Sequence, residues 1–286
     1  MSEKQENKKP FSVVMSVYGK DAAEHFDRAL ESITTAQTIL PDEIVLVVDG
    51  PVDQEIDGVI EKYSQLYNIM QVVRLPENKG LGNALRLAVE KSSYPLIARM
   101  DSDDVSVPDR FERQLEAFEQ DGELDIVGGD ITEFVGEEDN IVGKREVPMS
   151  YNDIVRYMKK RCPFNHMSVM YKKEAVLRAG NYQDWFWNED YYLWLRMFQA
   201  DCKFSNTGTV LVNVRTGEDM YRRRGGRKYF KSERKLQKYM RKNRIIGFGT
   251  YCANVCKRFV VQVLLPNKLR GWIFRKFARK PVKDER

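Results

Sequence analysis

The sequence predicts an α/β fold, a mostly parallel sheet flanked by helices, and three observations point to it. Short runs rich in Val, Ile and Leu alternate with helical segments over residues 11–105. Four of these apolar runs are followed closely by Gly, Pro, Asn or Asp, which favour turns. The chain has 286 residues, which suits one large domain with an appendage or two small domains. Strand–helix alternation at this spacing is typical of parallel sheets.

The individual elements are predicted from the spacing of apolar residues. In the first part of the chain, strands are expected at residues 11–18, 43–48, 70–75 and 95–100, and helices at residues 21–38, 52–67 and 81–91. Asp21 is expected to cap the first helix. Later elements are expected as helices at residues 108–120 and 188–200 and strands near residues 124–129, 131–147, 167–171 and 209–214. A turn is expected at Gly128-Gly129, and only helices from Gly226 onward.

Charge is distributed unevenly along the chain. Residues 1–205 carry 24 Lys/Arg and 37 Asp/Glu, whereas residues 206–286 carry 23 and 5. An acidic body with a basic C-terminal region is expected to meet phosphates or an anionic membrane surface. Apolar residues at helical spacing within the basic end, Trp272 among them, favour membrane contact. The alternative is a helical hairpin packed on the body. No nucleic-acid-binding module accompanies the charge, so nucleic acid is not an expected partner.

The sequence also predicts where the protein resides. The first ten residues are polar and resemble a loose tail rather than a secretory signal. The longest apolar stretch near the end covers residues 259–265, whereas a membrane span needs about 20 apolar residues. The four cysteines show no disulfide pattern. We therefore expect a cytoplasmic protein that does not cross a bilayer.

The strongest chemical signal is Asp101-Ser102-Asp103-Asp104, which directly follows an apolar strand. Three carboxylates so close together repel one another unless a cation offsets their charge. Mg²⁺ and Mn²⁺ take oxygen ligands and leave room for phosphate oxygens. The motif therefore indicates a metal–diphosphate site. The alternative is a solvated loop in which Asp104 or Ser106 caps the next helix.

Two further segments lie at strand ends of the same predicted sheet. Asp49 follows the second strand, and its carboxylate can accept hydrogen bonds from a nucleobase or ribose. Asn78, Lys79 and Gly80 open a helix whose free N–H groups and positive dipole favour a phosphate or ribose. Because ligands bind beyond the carboxyl ends of parallel strands, these residues are grouped with Asp101. Each segment alone is also consistent with an ordinary turn.

Three later segments could carry chemistry. In WFWNEDYY, Glu189 and Asp190 lie among aromatic residues, where burial would raise their pKa values toward those of a general base. The alternative is acids favoured by the helix dipole, with aromatic rings in the core. His166 is expected to line an acceptor pocket. A run of arginines ahead of a Gly pair could form a movable phosphate clamp or a solvated loop. These arginines are Arg222, Arg223 and Arg224.

In this order, the segments SVVMSVYG, VLVVDGP, LPENKGLGNALRLAV, LIARMDSDD, FNHMSVMY and WNEDYYLWLRM resemble the successive blocks of glycosyltransferase family 2. The likeness is greatest to capsular and exopolysaccharide transferases of the amylovoran-synthesis type, and it covers residues 11–215 well. It implies an inverting enzyme with a GT-A fold. The implied division is a flexible tail (1–10), a catalytic domain (11–220, with nucleotide-binding half 11–105 and acceptor half 106–220), and a basic loop with amphipathic helices (221–286).

The resemblance implies a role for each motif. Asp49 corresponds to the uracil-contacting carboxylate, and Asp190 to the catalytic base. Asp101 and Asp103 match the D-x-D motif, with Asp103 the metal ligand and Asp101 near both ribose and metal. Further nucleotide-sugar contacts are assigned to Val17, Tyr18, Asn78, Lys79, Gly80, Arg99, Ser102, Arg222, Arg223 and Arg224. Acceptor contacts are assigned to Asn165, His166, Trp187 and Glu189.

Two departures from the family pattern stand out. The family often has Arg-Asn where this chain has Asn83-Ala84, which bears on donor contact by that helix. Some relatives supply a late His to the metal, and this chain has no His after His166.

The expected activity is transfer of a sugar from a nucleotide diphosphate-sugar, UDP being favoured, with Mn²⁺ or Mg²⁺ as cofactor. The expected acceptor is a glycan or polyprenyl-diphosphate-linked molecule at the inner face of the cell membrane. A sugar-nucleotide nucleotidyltransferase is the runner-up, but it should carry a Gly-rich signature where this chain has Tyr18-Gly19-Lys20-Asp21. A non-catalytic nucleotide-binding module is a third hypothesis. Intact acids at the three motifs argue against it.

Overall fold

A computed structural model describes residues 8–217 and 225–266 of the chain. Within them lies a nine-stranded sheet. The strands are β1 (Phe11–Val17), β2 (Glu43–Val48), β3 (Met70–Arg74), β4 (Leu96–Met100), β5 (Val105–Ser106), β6 (Ile126–Phe134), β7 (Ile141–Arg145), β8 (Met170–Lys172) and β9 (Phe204–Arg215). The helices are α1 (Ala23–Ser32), α2 (Gln54–Leu66), α3 (Leu81–Lys91), α4 (Arg110–Gln120), α5 (Tyr151–Met158), α6 (Lys173–Arg178), α7 (Glu189–Gln199), α8 (Arg227–Lys242) and α9 (Phe248–Phe259).

The strands are ordered β3-β2-β1-β4-β8-β6-β9-β5, with β7 beside β6. β1 is parallel to β2 and β4, and β2 is parallel to β3. β8 runs antiparallel between β4 and β6, and β6 is parallel to β9. The α/β class and the mostly parallel sheet are confirmed. The carboxyl ends of β1, β2 and β4 therefore meet at one edge, as parallel pairing requires.

Alternating side chains of the central strands enter two separate cores. Val13 and Met15 join the core that also contains residues of α1, α2 and α4. Val14 joins the core formed with α3, α7 and α8. Successive side chains of a strand point to opposite faces, so β1 must be apolar at nearly every position to fill both cores. This explains why five of the seven residues in FSVVMSV are apolar.

Several predicted boundaries are confirmed, notably Glu43–Val48 and Leu81–Lys91. The first helix is shorter than predicted, ending at Ser32. The Ser32 hydroxyl donates to the Ala29 carbonyl and the Thr34 hydroxyl to the Leu30 carbonyl, both competing with continued helix. The predicted cap at Asp21 is wrong, because Ala22 is the N-cap residue and makes no side-chain cap.

The predicted turn at Gly128-Gly129 is also wrong, since both glycines lie inside β6. Their role is close packing. A Cβ atom on Gly128 would lie 2.4 Å from Asn206 Oδ1, and one on Gly129 would lie 2.5 Å from Leu211 Cγ. The glycine pair therefore allows neighbouring side chains to approach the strand. A glycine pair in a sequence is consistent with either this close packing or a turn.

The sequence reading missed α5 and α6 and shortened β9. α5 carries a recognisable start signal, because the Ser150 hydroxyl accepts a hydrogen bond from the Asp153 backbone N–H. The strand expected at residues 167–171 is instead a 3₁₀ turn, His166–Ser168, followed by β8. Neither Asp104 nor Ser106 caps α4, whose N-cap position is Asp109.

Candidate active site

A cleft with a volume of about 470 Å³ lies at the carboxyl ends of β1, β2 and β4. It is walled by the loops that follow these strands, by the start of α3, and by residues 184–187 with the start of α7. The residues assigned to the site from sequence that line it are Tyr18, Asp49, Asn78, Gly80, Asp101, Ser102, Asp103, Trp187 and Glu189. Three sequence-distant acidic segments thus reach one cavity.

Asp49 fastens the start of α3 to the end of β2. Its carboxylate accepts hydrogen bonds from the backbone N–H groups of Lys79 (2.7 Å) and Gly80 (2.9 Å). The Asn78 amide donates to the Asp49 carbonyl at 3.1 Å. Gly50 permits this approach, since its φ is +90° and a Cβ there would lie 2.7 Å from Asn78 N. The positive end of α3 is therefore held at the cleft, where it favours an anion.

The carboxylates of Asp101, Asp103 and Asp104 offer oxygens that lie within 4.8 Å of one another. Asp104 is buried and accepts a hydrogen bond from the Arg215 backbone N–H at 3.0 Å. Burial and the charges of its neighbours raise the pKa of Asp104. Desolvation, followed by Asp101 and Asp21, raises the pKa of Asp103 to about 6. Oxygen-only ligands held against mutual repulsion fit a hard divalent cation.

Arg99 forms an ion pair with Asp101, which lines the cleft. The guanidinium is 1% exposed, and its Nε and Nη1 atoms are buried with no hydrogen-bond partner among the described residues. The charges of Asp101 and Asp104 favour its protonated form and offset its burial, so its pKa is raised. Arg99 and Val17, at 1% and 0% exposure, are not among the residues that line the cleft. The donor contact assigned to each of them stays a prediction.

Asp21 is a site residue that the sequence reading missed. It lines the cleft, and its carboxylate accepts hydrogen bonds from the Ser102 hydroxyl (2.7 Å) and the Tyr18 backbone N–H (3.1 Å). Burial raises its pKa. The sequence position of Asp21 could have predicted this role. Asp21 lies just beyond the carboxyl end of β1, and ligands bind at the carboxyl ends of parallel strands.

Glu189 and Asp190 begin α7 and face different surroundings. Glu189 lines the cleft beside Gly82 of α3, where a Cβ would lie 3.4 Å from Glu189 Cβ. Asp190 is not among the lining residues. Its Oδ2 accepts from the Cys162 thiol at 3.6 Å and its Oδ1 from the Tyr191 N–H at 2.6 Å. Burial and the Asp190 charge raise the pKa of Glu189 to about 7, and burial raises that of Asp190.

The two residues assigned to the acceptor from FNHMS lie in the interior instead. Asn165 is 1% exposed and donates to the Gly129 carbonyl at 2.8 Å. His166 is 9% exposed, and its Nε2 lies 2.9 Å from the Tyr182 hydroxyl. Burial lowers the pKa of His166 well below its ordinary range, so the ring is neutral. Trp187 does reach the cleft, with 45% of its surface exposed.

Lys79 is not among the residues that line the cleft, and three further assigned residues lie outside the described part of the chain. Lys79 contributes its backbone N–H to Asp49, while its ammonium lies 3.9 Å from Glu77 Oε1. Arg222, Arg223 and Arg224 lie outside the described residues, as does the apolar segment around Trp272. In the described part of the chain, no helix combines the length and apolar character needed to cross a bilayer.

Comparisons with known proteins fit this architecture. The family model described as Glycosyl transferase family 2 matches residues 12–186, more than half of the chain. The chain belongs to glycosyltransferase family 2 and is a glycosyltransferase. Family membership sets aside the nucleotidyltransferase hypothesis.

Two curated relatives match most of the chain. The chain is 39% identical to the amylovoran biosynthesis glycosyltransferase AmsE of Erwinia amylovora, over 79% of this chain and 84% of that protein. It is 36% identical to the UDP-Gal:alpha-D-GlcNAc-diphosphoundecaprenol beta-1,3-galactosyltransferase of Escherichia coli, over 94% and 97% of the two chains.

Two solved structures share the fold. One is the mannosyltransferase PcManGT from Pyrobaculum calidifontis in complex with GDP-Man and Mn²⁺, at a TM-score of 0.61 and 14% identity, covering 92% of this chain and 72% of the other. The second is S. aureus TarS 1–349 in complex with UDP-GlcNAc, at a TM-score of 0.63 and 16% identity, covering 93% and 79%. The predicted GT-A fold is confirmed.

Proposed function

We propose that the protein is an inverting glycosyltransferase of cell-surface polysaccharide synthesis. It transfers a sugar from a nucleotide diphosphate-sugar, UDP-linked by preference, to a glycan or polyprenyl-diphosphate-linked acceptor. The observation that carries the proposal is the convergence of Asp49, the Asp101–Asp103 pair and Glu189 on one cleft. The names of two relatives support the polysaccharide and lipid-linked context.

The donor nucleotide lies at the carboxyl ends of β1 and β2 in this proposal. Asp49 has both carboxylate oxygens already bonded to backbone N–H groups, which fixes its orientation before the nucleotide arrives. Each oxygen retains a second lone pair for the base or ribose. The start of α3 adds a positive dipole end near the diphosphate. The UDP-sugar transferase among the relatives favours UDP.

Asp103 and Asp101 are the proposed ligands for Mn²⁺ or Mg²⁺. The fit rests on their chemistry, since carboxylate oxygens suit hard cations and the cluster holds three carboxylates within 4.8 Å. The Asp104 carboxylate contributes charge while its Oδ1 is engaged by Arg215. When bound, the cation neutralises charge on the departing diphosphate, a large electrostatic contribution in such reactions. One solved structure of the same fold contains Mn²⁺.

Asp190 is the proposed general base. It accepts the proton of the acceptor hydroxyl as that oxygen bonds to the anomeric carbon, while the bond from this carbon to the diphosphate breaks. Attack from the opposite face converts an α-linked donor into a β-linked product. Burial raises the pKa of Asp190, which makes its carboxylate a stronger proton acceptor than an exposed one. The acceptor hydroxyl must take the place of the Cys162 thiol beside Oδ2.

Glu189 and Trp187 are the proposed acceptor contacts. Both line the cleft, and the exposed indole offers an apolar face to a sugar ring. Glu189 is also the competing candidate for the base, because its carboxyl reaches the cavity directly.

A membrane surface is the proposed location. Residues 225–266 carry 11 Lys/Arg and one Asp/Glu, and that acid, Glu233, pairs with Arg258. Phe248 and Leu264 expose 67% and 59% of their surface in the same region. Basic residues beside exposed apolar ones are typical of helices that lie on anionic lipid.

A donor screen tests the proposal. Purified protein is incubated with Mn²⁺, a lipid-diphosphate sugar acceptor and each nucleotide-sugar in turn, and released nucleotide is measured. We expect acceptor-dependent release from one UDP-sugar, abolished by EDTA, and a β-linked product by NMR. Metal-dependent UDP binding with no turnover of any donor would contradict transfer and favour a binding module. An α-linked product would contradict the single displacement.

A further inference from the structure

The basic helix α8 packs against residues that line the cleft. Leu236 and Met240 of α8 are fully buried in the core that also contains residues of α7. Towards its start, α8 lies against residues 185–187, which line the cleft. The family model ends at residue 186, so α8 lies outside the matched part of the chain.

One side chain of α8 joins the two sides of the turn before α7. The Ser232 hydroxyl donates to the Phe186 carbonyl at 2.6 Å and accepts from the Asn188 amide at 3.2 Å. Ser232 is 8% exposed and Asn188 is 4% exposed, so both bonds are shielded from water. Asn188 occupies the N-cap position of α7, yet its side chain makes no cap. The amide donates instead to Ser232 of α8 and, at 3.4 Å, to the Phe186 carbonyl.

The residue between these two contacts has a strained backbone. Trp187 adopts a φ of +55°, a conformation that is costly for a bulky side chain. Such a conformation persists when its surroundings fix it, and strained residues cluster at functional sites. Here the carbonyl before Trp187 and the side chain after it are both held by Ser232. Glu189 and Asp190 follow directly.

Aromatic contacts extend the attachment along α8. The Lys228 ammonium lies 4.1 Å from the Phe186 ring centre, and the Lys235 ammonium lies 4.0 Å from that of Trp185. The Trp187 and Tyr229 rings are 6.0 Å apart. Each contact is of moderate strength. Together they place three successive turns of α8 against the aromatic wall.

We propose that Ser232 is a positioning residue for the transfer reaction. By bridging Phe186 and Asn188 it holds the strained turn at Trp187, and thereby fixes both the aromatic wall of the cleft and the start of α7. Ser232 is not among the residues that line the cleft, so it acts through Trp187, Glu189 and Asp190. The C-terminal helical layer is on this account a component of the active site as well as a basic surface.

The inference rests on the proposed function for its kinetic consequence, but its structural consequence is independent. Hydrogen exchange is therefore measured alongside turnover. In Ser232→Ala we expect amide exchange across residues 186–192 to rise about tenfold. We expect kcat to fall between about tenfold and about 10²-fold, since small displacements of reacting groups have such effects, with donor KM within about twofold. Ser232→Thr keeps the hydroxyl and should recover most of both.

Ser64→Ala is the matched control, because Ser64 is exposed on α2 and the chemical change is the same. If Ser232→Ala matches this control in exchange at residues 186–192, or loses no kcat, the proposal is wrong. An equal loss of kcat in Ser232→Thr would also overturn the proposal. A rise in donor KM that accompanies a lower melting temperature would overturn it as well. If Ser232→Ala does not fold, Asn188→Ala breaks the same bridge and must produce the exchange increase. If the wild type transfers no sugar at all, the proposed function is wrong. The hydrogen-exchange result still tests whether Ser232 holds the turn at Trp187.

Discussion

The two halves of the cleft are held together in different ways. On the proposed donor side, strand ends and backbone N–H groups set the geometry, with Asp49 bonded to the start of α3 and Gly50 at a φ of +90°. On the proposed acceptor side, the turn at Trp187 is held by Ser232 of α8, which lies more than forty residues further along the chain. The first arrangement follows from local sequence and sheet topology. The second depends on where a distant helix packs.

The largest effect is expected at the start of α7. Asp190→Asn keeps the shape but removes the proposed proton acceptor, so kcat should fall about 10²–10⁴-fold while nucleotide binding persists. Glu189→Gln is the informative counterpart, and its kcat should fall far less. Steady-state kinetics with saturating metal and donor measure both. The reverse ranking would move the base to Glu189, the residue that lines the cleft.

The next largest effect concerns the proposed metal ligands, Asp103 and Asp101. Asp103→Asn should lower kcat/KM about 10²–10³-fold and weaken metal-dependent UDP binding, because one charged ligand is lost. Calorimetry of UDP with and without Mn²⁺ measures the binding change. Asp139→Asn, at an exposed position in the turn between β6 and β7, is the control and should change neither. Undiminished metal dependence in Asp103→Asn would remove Asp103 from the metal site.

Gly50→Ala tests whether the donor side is held by its backbone. The added Cβ would lie 2.7 Å from Asn78 N at a φ of +90°, so the free energy of unfolding should fall by about 3 kcal/mol. UDP affinity should fall with it. Gly58→Ala is the matched control, since nothing lies within 4 Å of the corresponding Cβ in α2, and a helical alanine should stabilise. Equal urea midpoints for the two variants would contradict this account of the loop.

The smallest effect is a pH dependence on the acceptor side. The pKa of Glu189 is raised from 4.5 to about 7, so the folded state holds this proton more tightly than the unfolded state does. Its contribution to stability is full below about pH 4.5 and is lost as pH rises through 7. Urea unfolding of Glu189→Gln should lack this decline, whereas Glu116→Gln, exposed on α4, should retain it. Parallel pH profiles for wild type and Glu189→Gln would refute the raised pKa.

The same contrast explains how much of the molecule could be read from the sequence. The bounds of β2 and α3 follow from apolar runs and turn residues, and the rule about strand ends brings Asp49 and Asp101 together. The same rule applied to the end of β1 would have found Asp21. Whether Glu189 or Asp190 faces the cleft depends on the rotation of α7 about its axis. α7 follows a turn in which Trp187 has a positive φ. No local sequence pattern predicts that rotation.

The buried residues show a related limit of local patterns. Asn165 and His166 look like an accessible polar pair in sequence, but their partners, the Gly129 carbonyl and Tyr182, come from other segments. Gly128-Gly129 looks like a turn, but Asn206 and Leu211 fill the space above it. In both cases the local sequence is consistent with an exposed or a buried position. Contacts with distant segments determine that the position is buried.

A crystal structure of the protein with UDP and Mn²⁺ tests the central claim most directly, with data collected at the manganese edge. The account predicts an anomalous peak within about 2.0–2.3 Å of carboxylate oxygens of Asp103 or Asp101. It also predicts the uracil beside Asp49, with Trp187 and Glu189 across the same cavity. A peak or nucleotide bound elsewhere, leaving the cleft at the ends of β1, β2 and β4 empty, would contradict it.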